Sequence, residues 1–406
     1  MPLSMGKFSW SQRHWPFALA PIGTCAYIAG SALPFRWDFP LVVLALSGGL
    51  VTIFSRRNSS AESLPLFWPV IIFLIATGLS ILLSRDIGRS VSLSAPLIPA
   101  ILLFFVIADH FRGPRHVRLL YLTFSAVGLG LSLAVLWRAW MKDWSVPQGW
   151  QGWISEVESP ILIVPNDTAF LAAVAPLSLA LLWCDARKSI RVVSGLSIVL
   201  SLLAVSVIRS RIATLTMIGA LVLAALLLRP RIALPLGLGF LSASLLVDGL
   251  LGFPLLSKFG LIWDAGSGGL WDARFPIWSA AWTTFREAPI LGHGPHTFAY
   301  TSVDSIRAPW AHNLYLEMLA EQGIIGLLGL AFVLFCAFSA ARTIQRTDQT
   351  ETRILGAGAL AALLAFCFAA AFELSFLRQW VVILLFTLLG VITQLHSTQK
   401  ALEDKS

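Results

Sequence analysis

Residues 313–341 read NLYLEMLAEQGIIGLLGLAFVLFCAFSAA, a long and nearly uninterrupted apolar run. A helix needs about 20 apolar residues to cross the hydrocarbon core of a bilayer, and this run exceeds that length. Because a backbone in lipid must satisfy its own hydrogen bonds, the run predicts a transmembrane helix. The β alternative is a barrel strand, whose polar and apolar residues would alternate, and these do not.

The composition extends this prediction to the whole chain. Of its 406 residues, 57% are hydrophobic and 12% are charged, and the mean hydropathy is +0.79. Soluble domains carry about 25% charged residues, so this chain has too little polar surface to cover a soluble globule. A soluble enzyme, a secreted disulfide scaffold and a disordered chain are excluded.

We therefore predict an all-α, polytopic integral membrane protein with about 12 transmembrane helices and one large periplasmic loop that contains an amphipathic helix. The predicted spans are approximately 16–34, 39–55, 64–83, 91–108, 117–138, 160–183, 192–208, 212–228, 232–252, 313–341, 354–374 and 379–396. They form four parts. Residues 1–159 hold spans 1–5 and an outer loop, and residues 160–252 hold spans 6–9 with the outer arginine motif. Residues 253–312 form the large loop, and residues 313–406 hold spans 10–12 and a cytoplasmic tail.

Lysine and arginine in the turns set the orientation, because cytoplasmic loops carry an excess of both. With both termini in the cytoplasm, 17 of the 29 Lys and Arg residues lie on the inner side. The net charge of +8 then reports topology, and we predict no nucleic-acid partner, since no basic run interleaved with aromatic residues occurs. The four cysteines are predicted to be reduced packing residues, and neither they nor the carboxylates show metal-ligand spacing, so no metal is predicted.

His312 is the first candidate for chemistry. His312 is predicted to begin a helix, on which residues 312, 316, 319, 323 and 326 share one face, with the histidine at its top and two glycines that let another helix approach. A neutral imidazole at a water-accessible boundary can act as a general base near pH 7. The alternative is an interfacial histidine that caps the helix or reaches to the headgroups.

Arginines on the same predicted side form the second candidate. Arg209 and Arg211 lie in one short outer turn, against the positive-inside bias. They either bind an anion, because the guanidinium fork matches phosphate oxygens, or extend to lipid headgroups. From Pro276 onward the sequence predicts an amphipathic helix on the membrane surface, with Arg274 near its N-terminus, where backbone N–H groups also favour an anion.

Other polar residues near the predicted outer face are less specific. Asn166 and Asp167 open a span, where an N-cap is at least as good an interpretation as a catalytic role. Glu317, Glu321 and Glu373 lie in or near spans, and an ionisable group in a membrane is a functional hypothesis by default.

Together these residues resemble a known family. The pattern His312-Asn313, nine residues, Gly323-x-x-Gly326 resembles the signature of bacterial O-antigen ligases, whose superfamily also contains polysaccharide polymerases and protein O-oligosaccharyltransferases. Arg211-x-x-x-Leu215 looks like the second motif of the family. The Arg274 helix followed by Gly292-x-Gly294-x-x-x-Phe298 looks like the third. The motifs lie within residues 160–340, and the rest of the chain fits by topology alone.

The resemblance implies a lipopolysaccharide-biosynthesis glycosyltransferase of the bacterial inner membrane, with no metal or cofactor. Such enzymes pass a glycan from undecaprenyl diphosphate to an acceptor, here expected to be lipid A–core, at the periplasmic face. Carried over by position, Arg211 and Arg274 bind the diphosphate, Arg209 adds to the anion site, and His312 activates the acceptor hydroxyl. Supporting positions are Asn313, Gly323, Gly326, Asn166 and Asp167.

Several alternatives stay open at this point. The superfamily leaves a polymerase or a protein transferase possible, and we favour a ligase because no large soluble appendage is visible. A transporter or flippase is the rival from another class, and it predicts ionisable residues at mid-span and broken helices. A scaffold role through hydrogen bonding is a weaker third alternative.

Overall fold

The computed structural model describes residues 15–32, 65–111, 113–141, 168–208, 210–250, 270–298 and 310–403. These residues form α-helices and contain no β-strand. In chain order the helices are α1 Trp15–Ser31, α2 Phe67–Leu82, α3 Ile87–Ser94, α4 Ile98–His110, α5 Pro114–Met141, α6 Ala169–Cys184, α7 Lys188–Ile208, α8 Arg211–Leu228, α9 Pro230–Leu250, α10 Leu270–Glu287, α11 Leu314–Ile344, α12 Thr350–Ala370 and α13 Gln379–Glu403.

The predicted spans agree with these helices in type and approximate position. Of the twelve, the segment 39–55 lies outside the described residues, the span 91–108 covers parts of two helices, and each of the others overlaps a helix within the described residues. Six helical stretches of the described chain are long and apolar enough to cross a membrane, and four shorter ones are apolar. The all-helical membrane class is confirmed, whereas the count of 12 crossings and the large periplasmic loop stay predictions.

The segment predicted as one straight span over 91–108 is interrupted. Helix α3 ends at Ser94, a 3₁₀ turn covers Ala95–Leu97, and α4 starts at Ile98. Pro96 and Pro99 explain the interruption, because proline lacks an N–H and its ring clashes with the carbonyl four residues back. The side chain of Asp86 caps α3 by accepting from the Arg89 N–H at 2.9 Å.

Helix α6 lies at the centre of the helical assembly. Every residue from Ala169 to Leu181 is buried, and α6 packs against α5, α7, α8 and α12. Small polar side chains join the neighbouring helices: the hydroxyls of Ser125 and Ser178 lie 2.8 Å apart, and those of Ser132 and Ser201 lie 3.0 Å apart. Small residues with interhelical hydrogen bonds are typical of helices that associate within a bilayer.

The outward face of α2 is apolar, which also fits a lipid environment. Large hydrophobic side chains at helical spacing are 45–67% exposed: Trp68, Ile72, Ile75, Leu79 and Leu82. Monomeric soluble proteins rarely expose a contiguous apolar stripe of this kind.

The two ends of the bundle differ in their polar chemistry. At the end where α5, α7 and α12 begin, Arg118 lies 3.0 Å from Glu351 and 3.7 Å from Asp185. Arg187 donates two hydrogen bonds to Asp185, which lowers the pKa of that carboxyl to about 2. The other end, where α11 begins and α12 ends, holds His312 and Arg274.

Helix α11 is broken at Gly323, where φ is 65° and ψ is −166°. The prediction of one helix face through residues 312, 316, 319, 323 and 326 is therefore wrong, because the break changes the direction of the face. The prediction that the glycines admit another helix is also wrong at Gly323. A Cβ at this position would overlap the backbone of Ile290 and Leu291, so the neighbour is a turn of the preceding loop.

The break frees backbone groups that the turn then satisfies. The N–H groups of Ile324 and Ile325 donate to the carbonyls of Pro289 and Ile290, at 2.9 and 3.2 Å. In return, the N–H of Gly294 donates to the carbonyl of Glu321 at 2.8 Å. We call this contact between residues 289–294 and 320–325 the glycine seam. Gly292 also has a positive φ, 67°, and a Cβ there would overlap the Glu321 carbonyl.

Residues at the end of α2 and just after it also hydrogen-bond to the glycine seam. The Ser80 hydroxyl lies 2.8 Å from the Leu291 carbonyl and 3.0 Å from the Glu321 carbonyl. The backbone N–H of Arg85 donates to the His293 carbonyl at 3.0 Å, and Thr77 donates to the Gln322 side chain at 2.9 Å. Buried polar groups at the break are thus paired, as they must be in a low-dielectric interior.

Replacing Gly323 by alanine tests the seam. A non-glycine residue at this φ costs about 1–3 kcal/mol in backbone strain, and the overlap with the Ile290 carbonyl adds to it. We expect Gly323→Ala to lower the unfolding temperature of the detergent-solubilised protein and the yield of monodisperse protein. Gly78→Ala is the matched control, since Gly78 lies within α2 and has nothing within 4 Å of its Cβ position. Equal behaviour of the two variants would contradict the seam.

Candidate active site

His312 lies in the connection just before α11, not in the helix. The prediction that it begins the helix is wrong by two residues: α11 starts at Leu314, and His312 has a positive φ of 52°. Asn313 explains the offset, because its side-chain oxygen accepts from the N–H groups of Tyr315 and Leu316, at 3.0 and 3.1 Å. Asn313 is therefore the N-cap of the helix, the role that asparagine favours.

Glu317 fixes the backbone on the other side of His312. One of its carboxyl oxygens accepts from the N–H of Ala311 at 3.1 Å, and the other accepts from the Ser375 hydroxyl. Glu317 is 2% exposed, so these bonds form in a water-poor environment. The ionisable residue that the sequence marked within the span thus holds the His312 segment against the turn that follows α12.

Two residues contact the His312 ring or its surroundings. The indole N–H of Trp310 donates to His312 Nδ1 at 3.1 Å, and the two ring centroids are 5.2 Å apart. The guanidinium of Arg378 lies over the Trp310 ring, 4.6 Å from its centroid. A cation in this position is attracted to the negative face of the ring.

Arg274 reaches the same place from α10. Its guanidinium donates to the carbonyl of Phe372 and lies 3.6 Å from a carboxyl oxygen of Glu373. Both partners lie just beyond α12, in the same connection as Arg378 and Ser375. The side chains of Arg274 and Glu373 are 11% and 4% exposed, so little water screens this ion pair.

The helix that carries Arg274 is longer than predicted. It starts at Leu270 rather than at Pro276, so Arg274 is in its second turn and not at its N-terminus. The predicted help from free N–H groups at a helix start therefore does not apply to Arg274. One face of the helix is aromatic: Trp282 is 50% exposed, and its ring lies 5.2 Å from that of Phe285. The opposite face, with buried Ala280, Ala281 and Thr284, packs on α11.

The environment keeps His312 neutral. Burial, together with the positive charges of Arg274 and Arg378, lowers the pKa of His312 to about 4. A histidine has an ordinary pKa near 6.5, so His312 here stays uncharged well below neutral pH. A neutral imidazole beside two arginines combines a group that can exchange a proton with a positive field for an anion.

The two histidines of the preceding loop, His293 and His296, contact α10 and α3 instead of the His312 site. His293 Nε2 lies 3.2 Å from the Thr284 carbonyl and 3.6 Å from Glu287. His296 has a positive φ, and burial together with the charge of Arg89 lowers its pKa to about 4. Arg89 donates to the His296 carbonyl at 2.9 Å, which ties this loop to α3.

A pocket with about 570 Å³ of empty space lies between α2, α4, α11 and α13. Its walls are mainly apolar, and its polar lining includes His296, Glu317 and Glu321. Glu317 is therefore shared between this pocket and the support of His312.

The structure brings together three of the nine predicted site residues: Arg274, His312 and Asn313. Gly323 lies further along α11, in the glycine seam. Gly326 follows one turn beyond the break, against the side chain of Gln322. Arg211 is the first residue of α8, next to the N-cap Ser210, and its side chain is outside the description. Arg209, Asn166 and Asp167 lie outside the described residues, so their roles stay predictions.

Sequence reasoning missed Trp310 and Arg378, and it named Glu317 and Glu373 without a role. Arg378 carried a usable signal, because an arginine in a short turn on the predicted outer side departs from the positive-inside bias, as Arg209 and Arg211 do. Within the described part of the chain, no group of three or more His, Cys, Asp or Glu residues is arranged to hold a metal ion.

Fold and site together define a helical membrane protein with a buried histidine and arginines at one end of its bundle. Comparison with known families then shows that residues 196–331, about a third of the chain, match the Wzy_C family, described as O-antigen ligase. The resemblance to the O-antigen ligase and polymerase superfamily is thereby confirmed. Members of this family are glycosyltransferase-like enzymes. The matched stretch extends from α7 into α11 and ends at residue 331, beyond Gly323 and Gly326. No curated protein matched the sequence.

The capping role of Asn313 gives a second test. Replacing an asparagine N-cap by alanine costs about 1 kcal/mol. We expect Asn313→Ala to lower the unfolding temperature, whereas Asn313→Asp keeps an acceptor for the Tyr315 and Leu316 N–H groups and stays near the wild type. If alanine and aspartate behave alike, Asn313 does not cap the helix.

Proposed function

We propose that this protein is an O-antigen ligase-like glycosyltransferase of the bacterial inner membrane. It transfers a glycan from undecaprenyl diphosphate to a hydroxyl of lipid A–core at the periplasmic face. The observation that carries the proposal is the neutral His312 held beside Arg274 and Arg378, within a family match to O-antigen ligases.

The chemistry of the reaction fits these residues. The leaving group is a lipid diphosphate, which departs as an anion and needs fixed positive charge rather than a proton. Arg274, with Arg211 and Arg209, supplies this charge in our proposal. Preorganised charge in a partly desolvated site is usually the largest catalytic contribution. Because a guanidinium has five N–H donors, Arg274 can hold Glu373 and also contact phosphate oxygens.

The acceptor is activated at His312. A sugar hydroxyl is a poor nucleophile, so a positioned base speeds its attack by about 10²–10⁴-fold. His312 takes the hydroxyl proton as the acceptor oxygen bonds to the anomeric carbon and the bond to the diphosphate breaks. The bilayer holds the polyprenyl tail of the donor, which restricts its approach to the site.

The competing classes make different demands on the structure. A transporter predicts broken helices and ionisable groups along a path through the membrane. The break of α11 at Gly323, next to buried Glu321, meets part of that expectation. Arg274, His312 and Arg378 instead gather at one end of the bundle, which favours an enzyme. The superfamily leaves a polymerase or a protein O-oligosaccharyltransferase as the nearest alternatives, and the acceptor decides among the three.

Single substitutions test the roles of the residues in purified protein with an undecaprenyl-diphosphate glycan. We expect His312→Ala to lower the transfer rate by about 10²–10⁴-fold and Arg274→Ala by about 10²–10³-fold. Donor binding should persist in His312→Ala. Arg286→Ala is the matched control, because Arg286 is an exposed residue in the last turn of the same helix as Arg274. Retained turnover in His312→Ala refutes the base, and retained turnover in Arg274→Ala refutes its role at the diphosphate.

The pH dependence gives an independent measurement. The neutral form of His312 is the base, so the rate falls as pH falls through its pKa, which lies at about 4. We expect the transfer rate to be flat between about pH 6 and 8 and to decline only near pH 4–5. A decline centred near the ordinary histidine pKa of about 6.5 would contradict the buried, arginine-flanked site.

A deletion strain identifies the acceptor. Loss of a ligase leaves bare lipid A–core on a gel, while polymer accumulates on the undecaprenyl carrier. Loss of a polymerase leaves single repeats on lipid A–core. Unchanged surface polysaccharide with unglycosylated proteins indicates a protein transferase.

A further inference from the structure

The hydrogen bond between Trp310 and His312 fixes which nitrogen of the histidine carries the proton. An indole N–H can donate but not accept, so Nδ1, the nitrogen that it reaches at 3.1 Å, must offer its lone pair. A neutral imidazole has one protonated and one unprotonated nitrogen. The geometry therefore places the proton of neutral His312 on Nε2.

This tautomer has a consequence for base catalysis. The unprotonated Nδ1 holds the one ring lone pair that can accept a proton, and the indole N–H of Trp310 occupies it. A hydroxyl that approached Nε2 would meet a donor rather than an acceptor. For His312 to act as a base, the hydrogen bond from Trp310 must open first.

We propose that Trp310 is a positioning residue that caps the base, holding the Nδ1 lone pair of His312 until the hydroxyl of an acceptor displaces the indole N–H. The inference rests on the proposed function. The hydroxyl of the acceptor then takes the place of the indole N–H and donates its own hydrogen bond to Nδ1. The proton then passes to Nδ1 as the acceptor oxygen bonds to the anomeric carbon, and the electrons of the broken C–O bond remain on the diphosphate.

Two contacts would keep Trp310 at the site while its N–H leaves Nδ1. Its ring stays attractive to the Arg378 guanidinium at 4.6 Å, and its backbone neighbour Ala311 is held by Glu317. Among the described residues, Arg274 from α10 and Arg378 from the connection after α12 act on His312 by charge. Glu373 pairs with Arg274, and Glu317 of α11 binds the backbone next to His312.

The cap explains how such a site limits hydrolysis of the donor by water. Water is a smaller nucleophile than a sugar, and a base with an open lone pair would activate it and hydrolyse the donor. In this proposal an acceptor, which makes contacts beyond its reacting hydroxyl, displaces the indole, whereas a single water does not. The cap thus couples use of the base to occupancy of the acceptor position.

The first experiment reads the tautomer without any substrate. Protein with ¹⁵N-labelled histidine is purified in detergent, and its imidazole nitrogen signals are assigned to His312 by their loss in His312→Ala. The expected result at pH 7 is an unprotonated Nδ1 and a protonated Nε2. A His312 signal from the opposite tautomer overturns the proposal, whatever the enzyme transfers.

The second experiment removes the N–H group by which Trp310 caps His312. Trp310→Phe keeps a ring for Arg378 but has no N–H. We expect hydrolysis of the undecaprenyl-diphosphate glycan without acceptor to rise relative to transfer, by about threefold or more. The acid limb of the rate profile should move up by about one pH unit, because the hydrogen bond that favoured the neutral ring is gone.

Two variants separate a cap from mere support. Trp310→Gln places an amide N–H the same number of bonds from Cα and should restore both the low hydrolysis ratio and the acid limb. Trp282→Phe makes the same change on the exposed face of α10 and should leave both unchanged. If Trp310→Phe lowers hydrolysis and transfer equally with an unshifted acid limb, Trp310 only supports the fold and the cap is refuted. Absence of transfer in the wild type would instead refute the proposed function.

Discussion

The break in α11 at Gly323 is the constraint on which the site depends. A helix that continued unbroken would satisfy the N–H groups of Ile324 and Ile325 internally and would leave the loop before it without partners. Because of the break, those N–H groups donate to the carbonyls of Pro289 and Ile290 instead. The loop that follows α10 is therefore joined to the helix that follows His312. The positions of Arg274 and His312 are thereby set against a common piece of backbone.

The site combines a buried, neutral histidine with two arginines that are each held by a neighbouring group. His312 loses its proton readily because it is buried beside Arg274 and Arg378, and each arginine is itself held by a neighbour, Glu373 for the first and the Trp310 ring for the second. Each cation is thus oriented before any anionic ligand arrives. Preorganisation of this kind avoids the reorganisation that a flexible surface arginine would undergo on binding.

The sequence predicts the helices well, because apolar runs of transmembrane length have few structural solutions. It predicts the break poorly, because the hydropathy around Gly323 continues across it and the partner that stabilises it lies about 30 residues away. Motif order suffices to select Arg274 and His312. Motif order does not select Trp310 or Arg378, since the two are joined by a stacking contact between segments about 70 residues apart. Of the two, Arg378 is marked only by its departure from the positive-inside bias.

The glycine seam also has a consequence for biogenesis. Ser80 and its partner Glu321 are 241 residues apart in the chain, and ribosomes add about 5–20 residues per second. The end of α2 therefore waits roughly 10–50 s for its partner during synthesis. In that interval, water, headgroups or a chaperone must satisfy its polar groups. Membrane insertion of α2 thus precedes assembly of the glycine seam, and a nascent chain that stops before residue 325 would contain most of the described helices but not the complete seam.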